Sequence, residues 1–155
     1  MGEASTMKAS GNAIKLIKEF EGCRYRAYDC PAGVCTIGYG HTDGVYSGMT
    51  ITQEDAERFL MQDVEKIEKA INQALLVKIN QNQFDALVSF VFNIGIQAFY
   101  KSTLLVKLNL GAFKVIPYEF NRWVHIHGEF SKGLQRRRNQ EVALFQKDIA
   151  PHEDC

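Results

Sequence analysis

The chain lacks any apolar run approaching the length of a membrane span, which needs about 20 consecutive residues. Its longest apolar stretch, 84–96, is interrupted by Asp85, Ser89 and Asn93 and reads as a buried helix. No charged segment followed by an apolar core opens the sequence, so a secretory signal is not expected. Residues 1–6, ahead of Met7, are taken as a leader or tag remnant, 7–149 as one folded domain and 150–155 as a tail. Net charge is also missing: 18 basic residues balance 18 acidic ones, which leaves no concentrated basic face for nucleic acid. With the terminal acids Glu3, Glu153 and Asp154 set aside the body is mildly positive, a sign that suits an anionic polymer. Four cysteines are present, Cys23, Cys30, Cys35 and Cys155, but none in a C-x-x-C pair. That spacing argues against zinc, and neither a metal nor a cofactor is expected. Repeats and long linkers are absent too, so the chain reads as a single domain.

What is present is mostly helical periodicity. Ile14, Leu16, Ile17 and Phe20 stripe one face of a helix that Gly22 ends. Thr52 and Asp55 form a capping-box pair ahead of a long helix striped by Ala56, Phe59, Leu60, Val64, Ile67 and Ile71. Asn80 and Gln83 open the next helix, apolar on most sides and therefore central. Further helices are expected over 102–110, from Pro117 through Trp123, and over 134–146. Between the first two helices, 24–40 is rich in Tyr, Val, Thr and Gly around Pro31-Ala32-Gly33. This is the one convincing β-segment, two short strands and a turn. The fold class is α+β, a small early β-lobe packed against a mainly helical lobe, with a cleft between them as the favoured ligand site.

Residue by residue the chemistry is ambiguous. Glu21 sits at a helix C-terminus, where an acid is locally unfavourable. By itself it reads as a surface glutamate or the partner of an arginine such as Arg24 or Arg137. Tyr28 and Cys30 share one strand face and Asp29 takes the other. Thr36 is an ordinary strand residue and His41 an ordinary structural histidine.

Taken together, these residues resemble a family. Glu21, eight residues, Cys30, five residues, Thr36 is similar to the signature of the phage-type lysozymes, or endolysins, of glycoside hydrolase family 24. The likeness continues through Ile37-Gly38-Tyr39-Gly40-His41, Gln81–Phe90, Phe92-Asn93-Ile94-Gly95, Phe120-Asn121-Arg122-Trp123 and Gly133–Arg138, spanning about 10–147. It implies a lysozyme-like fold and a muramidase. Such an enzyme cleaves the β-1,4 bond between N-acetylmuramic acid and N-acetylglucosamine in peptidoglycan. Glu21 would be the general acid, Cys30 the second catalytic group where many relatives carry aspartate, and Thr36 the residue positioning water or sugar. His41 would organise the site, with Tyr28 and Gly40 beside it, and Arg137 would pair with Glu21. The segment 125–129 departs from the Gly-rich form expected there. The implied partner is bacterial peptidoglycan, with no nucleic acid, no stable membrane insertion and a monomeric chain. The implied location is synthesis in the bacterial host cytoplasm and action on the wall in the periplasm, after release or export.

Two other readings compete. One is a wall-binding scaffold that keeps the fold without turnover, and the intact Glu–Cys–Thr set argues against it. The other is a zinc or redox module on the clustered cysteines. Within the enzyme reading, Cys30 and Cys35 flank a four-residue loop and could stand opposite one another. Cys23 pairing with Cys35, or all thiols reduced, are the alternatives.

Overall fold

The computed structural model describes residues 6–28 and 34–148. Helix α1 (Gly11–Glu21) begins at Ser10, whose hydroxyl accepts from the Asn12 N–H, and its buried stripe is Ala13, Leu16 and Ile17. Gly22 ends it in a positive-φ conformation (67°) with its N–H on the Lys18 carbonyl, so the chain turns sharply just past Glu21. The start of α1 is fixed from afar. Asp85, fully buried, accepts the Ser10 N–H at 2.8 Å and the Ser10 hydroxyl. Glu68 takes the Ala9 N–H at 2.7 Å, and Asn72 exchanges two hydrogen bonds with the Met7 backbone.

Helix α2 (Gln53–Ala74) opens with a complete capping box between Thr52 and Asp55. Helix α3 (Gln81–Ile94) opens with another, between Asn80 and Gln83. Every residue from Phe84 to Val91 is buried, as expected of a helix enclosed by α1, α2 and the last helix, α7 (Lys132–Gln146). Phe90 packs edge-on against Phe120 at 4.9 Å and Trp123 at 6.0 Å. Between α3 and α7 lie α4 (Ile96–Tyr100), α5 (Thr103–Asn109), a 3₁₀ turn and α6 (Ile116–Phe120). The sequence pattern misses the five-residue α4. It also runs α6 too far: Pro117 stands in the first turn, but Asn121 caps the helix before Trp123.

The β-structure is distributed differently from the expectation. In the early lobe the described residues form three isolated antiparallel bridges, Arg24–Gly38, Arg26–Thr50 and Ile37–His41, rather than a continuous ladder. The regular two-stranded ladder is β1 (His125–Ile126) against β2 (Glu129–Phe130). His127, at φ 51°, and Gly128, at φ 82°, supply the tight turn between them. Periodicity cannot announce strands of two residues, and all four of these are exposed. Among the described residues no helix is long and apolar enough to cross a membrane.

Candidate active site

Four segments converge at the C-terminal end of α1. Helix α1 presents Glu21, whose side chain is 21% exposed. The loop after the early bridges brings Gly40 against it: a Cβ built on Gly40 would stand 2.7 Å from Glu21 Oε1 and 3.5 Å from Phe92 Cε1. Only a residue without a side chain allows this approach, and Gly40 also holds φ +77°. The bridge between Ile37 and His41 closes the loop on itself, with Ile37 N–H to the His41 carbonyl at 2.9 Å and the reverse bond at 2.8 Å.

His41 is buried behind Gly40. Its Nδ1 lies 2.7 Å from Asp63 Oδ2 on α2, and its ring stacks on Phe59 at 4.4 Å with planes 10° apart. The histidine thus ties the loop carrying Gly40 to α2. Thr36 is half-buried, and its carbonyl accepts the Tyr28 N–H at 3.4 Å. The Arg24 guanidinium lies 4.4 Å from the Tyr28 ring centre.

The opposite wall is α7. Arg137 Nη1 donates to Glu21 Oε2 at 2.8 Å, a contact between residues 116 positions apart. The Arg137 guanidinium also lies 5.6 Å from the Phe20 ring centre. Arg24, the other candidate partner for Glu21, stacks on Tyr28 instead. The sequence pattern assigned no role to Asp63, Ser89 or Glu141, all of which hold these groups. Ser89 and Asp85 interrupt an otherwise apolar helix, a signal that polar partners meet there. Glu141 stands i+4 from Arg137 and i+3 from Arg138, a spacing that places all three on one side of α7. Asp63 gives no local signal.

Two open cavities flank the C-terminal end of α3. One, of about 200 Å³, is lined by Gly40, Asp63, Lys66 and Phe92 among others. The other, of about 270 Å³, is lined by Asn93, Trp123, His125, Ile126 and Arg138. The unexpected hairpin therefore lines the second of these cavities through His125 and Ile126.

Cys30 and Asp29 lie outside the described residues. Cys35 is disulfide-bonded and Cys23 is free. A Cys23–Cys35 bond is therefore not formed, and the thiols are not all reduced. Among the described residues no group of three or more His, Cys, Asp or Glu is placed to hold a metal ion.

The family model "Phage lysozyme" matches residues 18–141. An endolysin of Acyrthosiphon pisum secondary endosymbiont phage 1 is 44% identical over 144 residues, covering 90% of this chain and 99% of that protein. The muramidase domain of SpmX from Asticaccaulis excentricus superposes with a TM-score of 0.85 at 40% identity, covering 91% of this chain and 99% of that one. An endolysin from Escherichia coli O157:H7 phage FAHEc1 gives 0.82 at 39%, covering 96% and 99%. The match takes in both walls of the site, from α1 through the arginines of α7. On that ground the chain belongs to the phage lysozyme family and is a muramidase hydrolase.

Proposed function

We propose that this chain is an endolysin that hydrolyses the β-1,4 bond between N-acetylmuramic acid and N-acetylglucosamine, with Glu21 as the general acid. The observation that carries the assignment is the convergence on Glu21 of Gly40 from one side and Arg137 from the other. A carboxyl at a helix C-terminus has no local reason to be there, yet three distant segments are built around it. In the reaction, the Glu21 carboxyl gives its proton to O4 of the departing glucosamine as the bond to muramic acid C1 breaks. Water supplies the oxygen that bonds to C1, and its proton returns to the site.

As a free thiol, Cys30 is assigned the second catalytic role on the family signature, as base for that water or as nucleophile, and a disulfide at this residue would remove both roles. Thr36 positions the water or the sugar. His41 organises the loop that carries Gly40, with its Nδ1 held by Asp63 and its ring stacked on Phe59. Tyr28 faces the sugar from the β-lobe. The partner is peptidoglycan, the enzyme acts as a monomer, and its place of action is the periplasmic wall.

Purified protein added to chloroform-permeabilised Gram-negative cells should clear turbidity and release new reducing ends, undiminished by EDTA. Glu21→Gln should lower the rate about 10²–10⁴-fold while the fold persists. Products with 1,6-anhydro ends would mean a transglycosylase. A Glu21→Gln protein of wild-type activity would remove Glu21 from the chemistry.

A further inference from the structure

Glu141 is fully buried on α7, and no step of the proposed reaction uses it. A carboxylate without solvent is tolerated only when it is paired. This one has three partners. Ser89 Oγ donates to its Oε2 at 2.6 Å, Arg137 Nε donates to the same oxygen at 3.1 Å, and Arg138 Nη1 donates to Oε1 at 2.7 Å. Arg137 Nη2 donates to the Ser89 carbonyl at 3.0 Å. The Arg137 guanidinium is thereby fixed on two edges, and the remaining edge, Nη1, meets Glu21 Oε2. Arg138 turns away, its Nε on the Trp123 carbonyl at 2.9 Å and its Nη2 on Asn93.

We propose that Glu141 is a positioning residue for Glu21, acting through Arg137. It aims Nη1 at the acid, and it offsets the charge of the guanidinium that faces Glu21. The inference rests on the reading of Glu21 as the general acid.

An arginine facing a carboxylate alone favours the ionised form, which has no proton to give. Glu141 places a negative charge on the far side of the same guanidinium. Arg137 is 3% exposed and Glu141 0%, so solvent and salt screen this coupling little. The surrounding charged groups are otherwise engaged. Glu19 pairs with Arg136 at 3.2 Å, Lys18 with Glu57 at 2.8 Å and His41 with Asp63 at 2.7 Å. Arg24 stacks on Tyr28, and Asp85, at the far end of α3, binds Ser10. Orientation alone would not require a charge at 141, because a neutral amide also accepts hydrogen bonds from arginine. The glutamine isostere therefore separates aiming from charge balance.

The test is the pH–rate profile on purified soluble glycan strands. Glu141→Gln should move the alkaline limb down by about one pH unit, with kcat falling and KM little changed. Arg138→Gln, which leaves the charge of Glu141 to Arg137 alone, should move that limb up. Ser89→Ala removes one donor to Glu141 and should move it the same way by less. This smallest change keeps the test alive if the larger ones fail to fold. Glu141→Asp should restore the wild-type limb. Limbs that stay in place while melting temperatures fall would show a structural role only and overturn the proposal. So would limbs that move the same way in Glu141→Gln and Arg138→Gln. Glu21→Gln separates the two layers of the argument. If that variant is active, the acid assignment fails, and a ¹³C titration of the Glu21 carboxyl in Glu141→Gln still reads whether Glu141 acts on it.

Discussion

Gly40→Ala probes the site without touching a titratable group. Two penalties coincide at this position. The first is conformational: Gly40 holds φ +77°, and an L-residue in the left-handed region costs about 1–2 kcal/mol. The second is steric. The new methyl would lie 2.7 Å from Glu21 Oε1 and 3.2 Å from its Cδ, where 3.4 Å begins ordinary contact. Either the carboxyl or the Gly40 loop must give by several tenths of an ångström. The carboxyl is held on its other oxygen by Arg137 at 2.8 Å, and the loop is held by His41 on Asp63 at 2.7 Å. Both restraints resist, so the displacement falls on the geometry that orients the acid. A misplacement of about 1 Å can cost about 10²-fold in rate. Gly44→Ala is the control, because Gly44 holds φ +72° and nothing lies within 4 Å of its added Cβ. Gly44→Ala should lose a similar 1–2 kcal/mol of stability, roughly 2–8 °C in Tm, and keep its activity. Gly40→Ala should lose stability and about 10²-fold in kcat. Thermal melts by circular dichroism, paired with reducing-end assays, read both. Equal activities in the two variants would refute the steric argument.

Asp63→Asn removes the charge that faces buried His41 Nδ1, and it should cost about 1–3 kcal/mol in thermal melts and lower activity through the Gly40 loop. A variant with unchanged Tm and rate would show that the His41–Asp63 contact restrains nothing. The Thr52 backbone N–H, then Arg58, holds the Asp55 carboxyl below its ordinary value of 3.8. Because the folded value is depressed, this contribution is present above the ordinary value and is lost as pH falls through the depressed one. Stability should therefore decline below about pH 4, and Asp55→Asn should flatten part of that decline. Equally steep acid limbs in melts of the two proteins would refute it. Cys30→Ala should lose most activity and Cys30→Asp recover much of it, whereas Asp29→Asn should be mild; the reverse ranking would mean a one-residue slip in the strand. Thiol titration of non-reduced protein should find fewer than four free thiols, and four would contradict the bond at Cys35.

The helices were legible because their causes are local. Thr52 with Asp55 and Asn80 with Gln83 are capping partners three residues apart, and both boxes form as the pattern demands. Of the expected stripe along α2, Ala56, Leu60, Val64, Ile67 and Ile71 are buried for the same reason, and Phe59 at its edge is half-buried. Elements fixed by tertiary contact were not legible. The two-residue strands of the 125–130 hairpin bury nothing, so no alternation marks them. Among the described residues the early lobe is held by single bridges, one of them Arg26–Thr50, whose partners stand 24 residues apart. A strand-rich composition predicts extended backbone there and cannot say that the described residues pair through separate bridges.

The candidate site divides along the same line. Composition and periodicity leave Glu21 indistinguishable from a surface glutamate, since nothing within one helical turn explains it. Its meaning comes from Arg137, 116 residues away, and from Gly40, whose lack of a side chain matters only because a carboxylate stands beside it. Family resemblance could point to both positions without giving the physical reason for either. The residues to which neither pattern nor resemblance gave a role, Asp63, Ser89 and Glu141, share one property. Each acts on a functional group through another residue's hydrogen bonds, and each sits on a helix whose own pattern is satisfied without it. Glu141 could be replaced by leucine without disturbing the amphipathicity of α7. Doing so would leave Arg137 and Arg138 buried with no carboxylate between them, and unpaired buried charge is among the costliest defects a core can carry. A glutamate on the buried side of a helix, one turn from two arginines, is thus a sequence-level sign of a buried charge network.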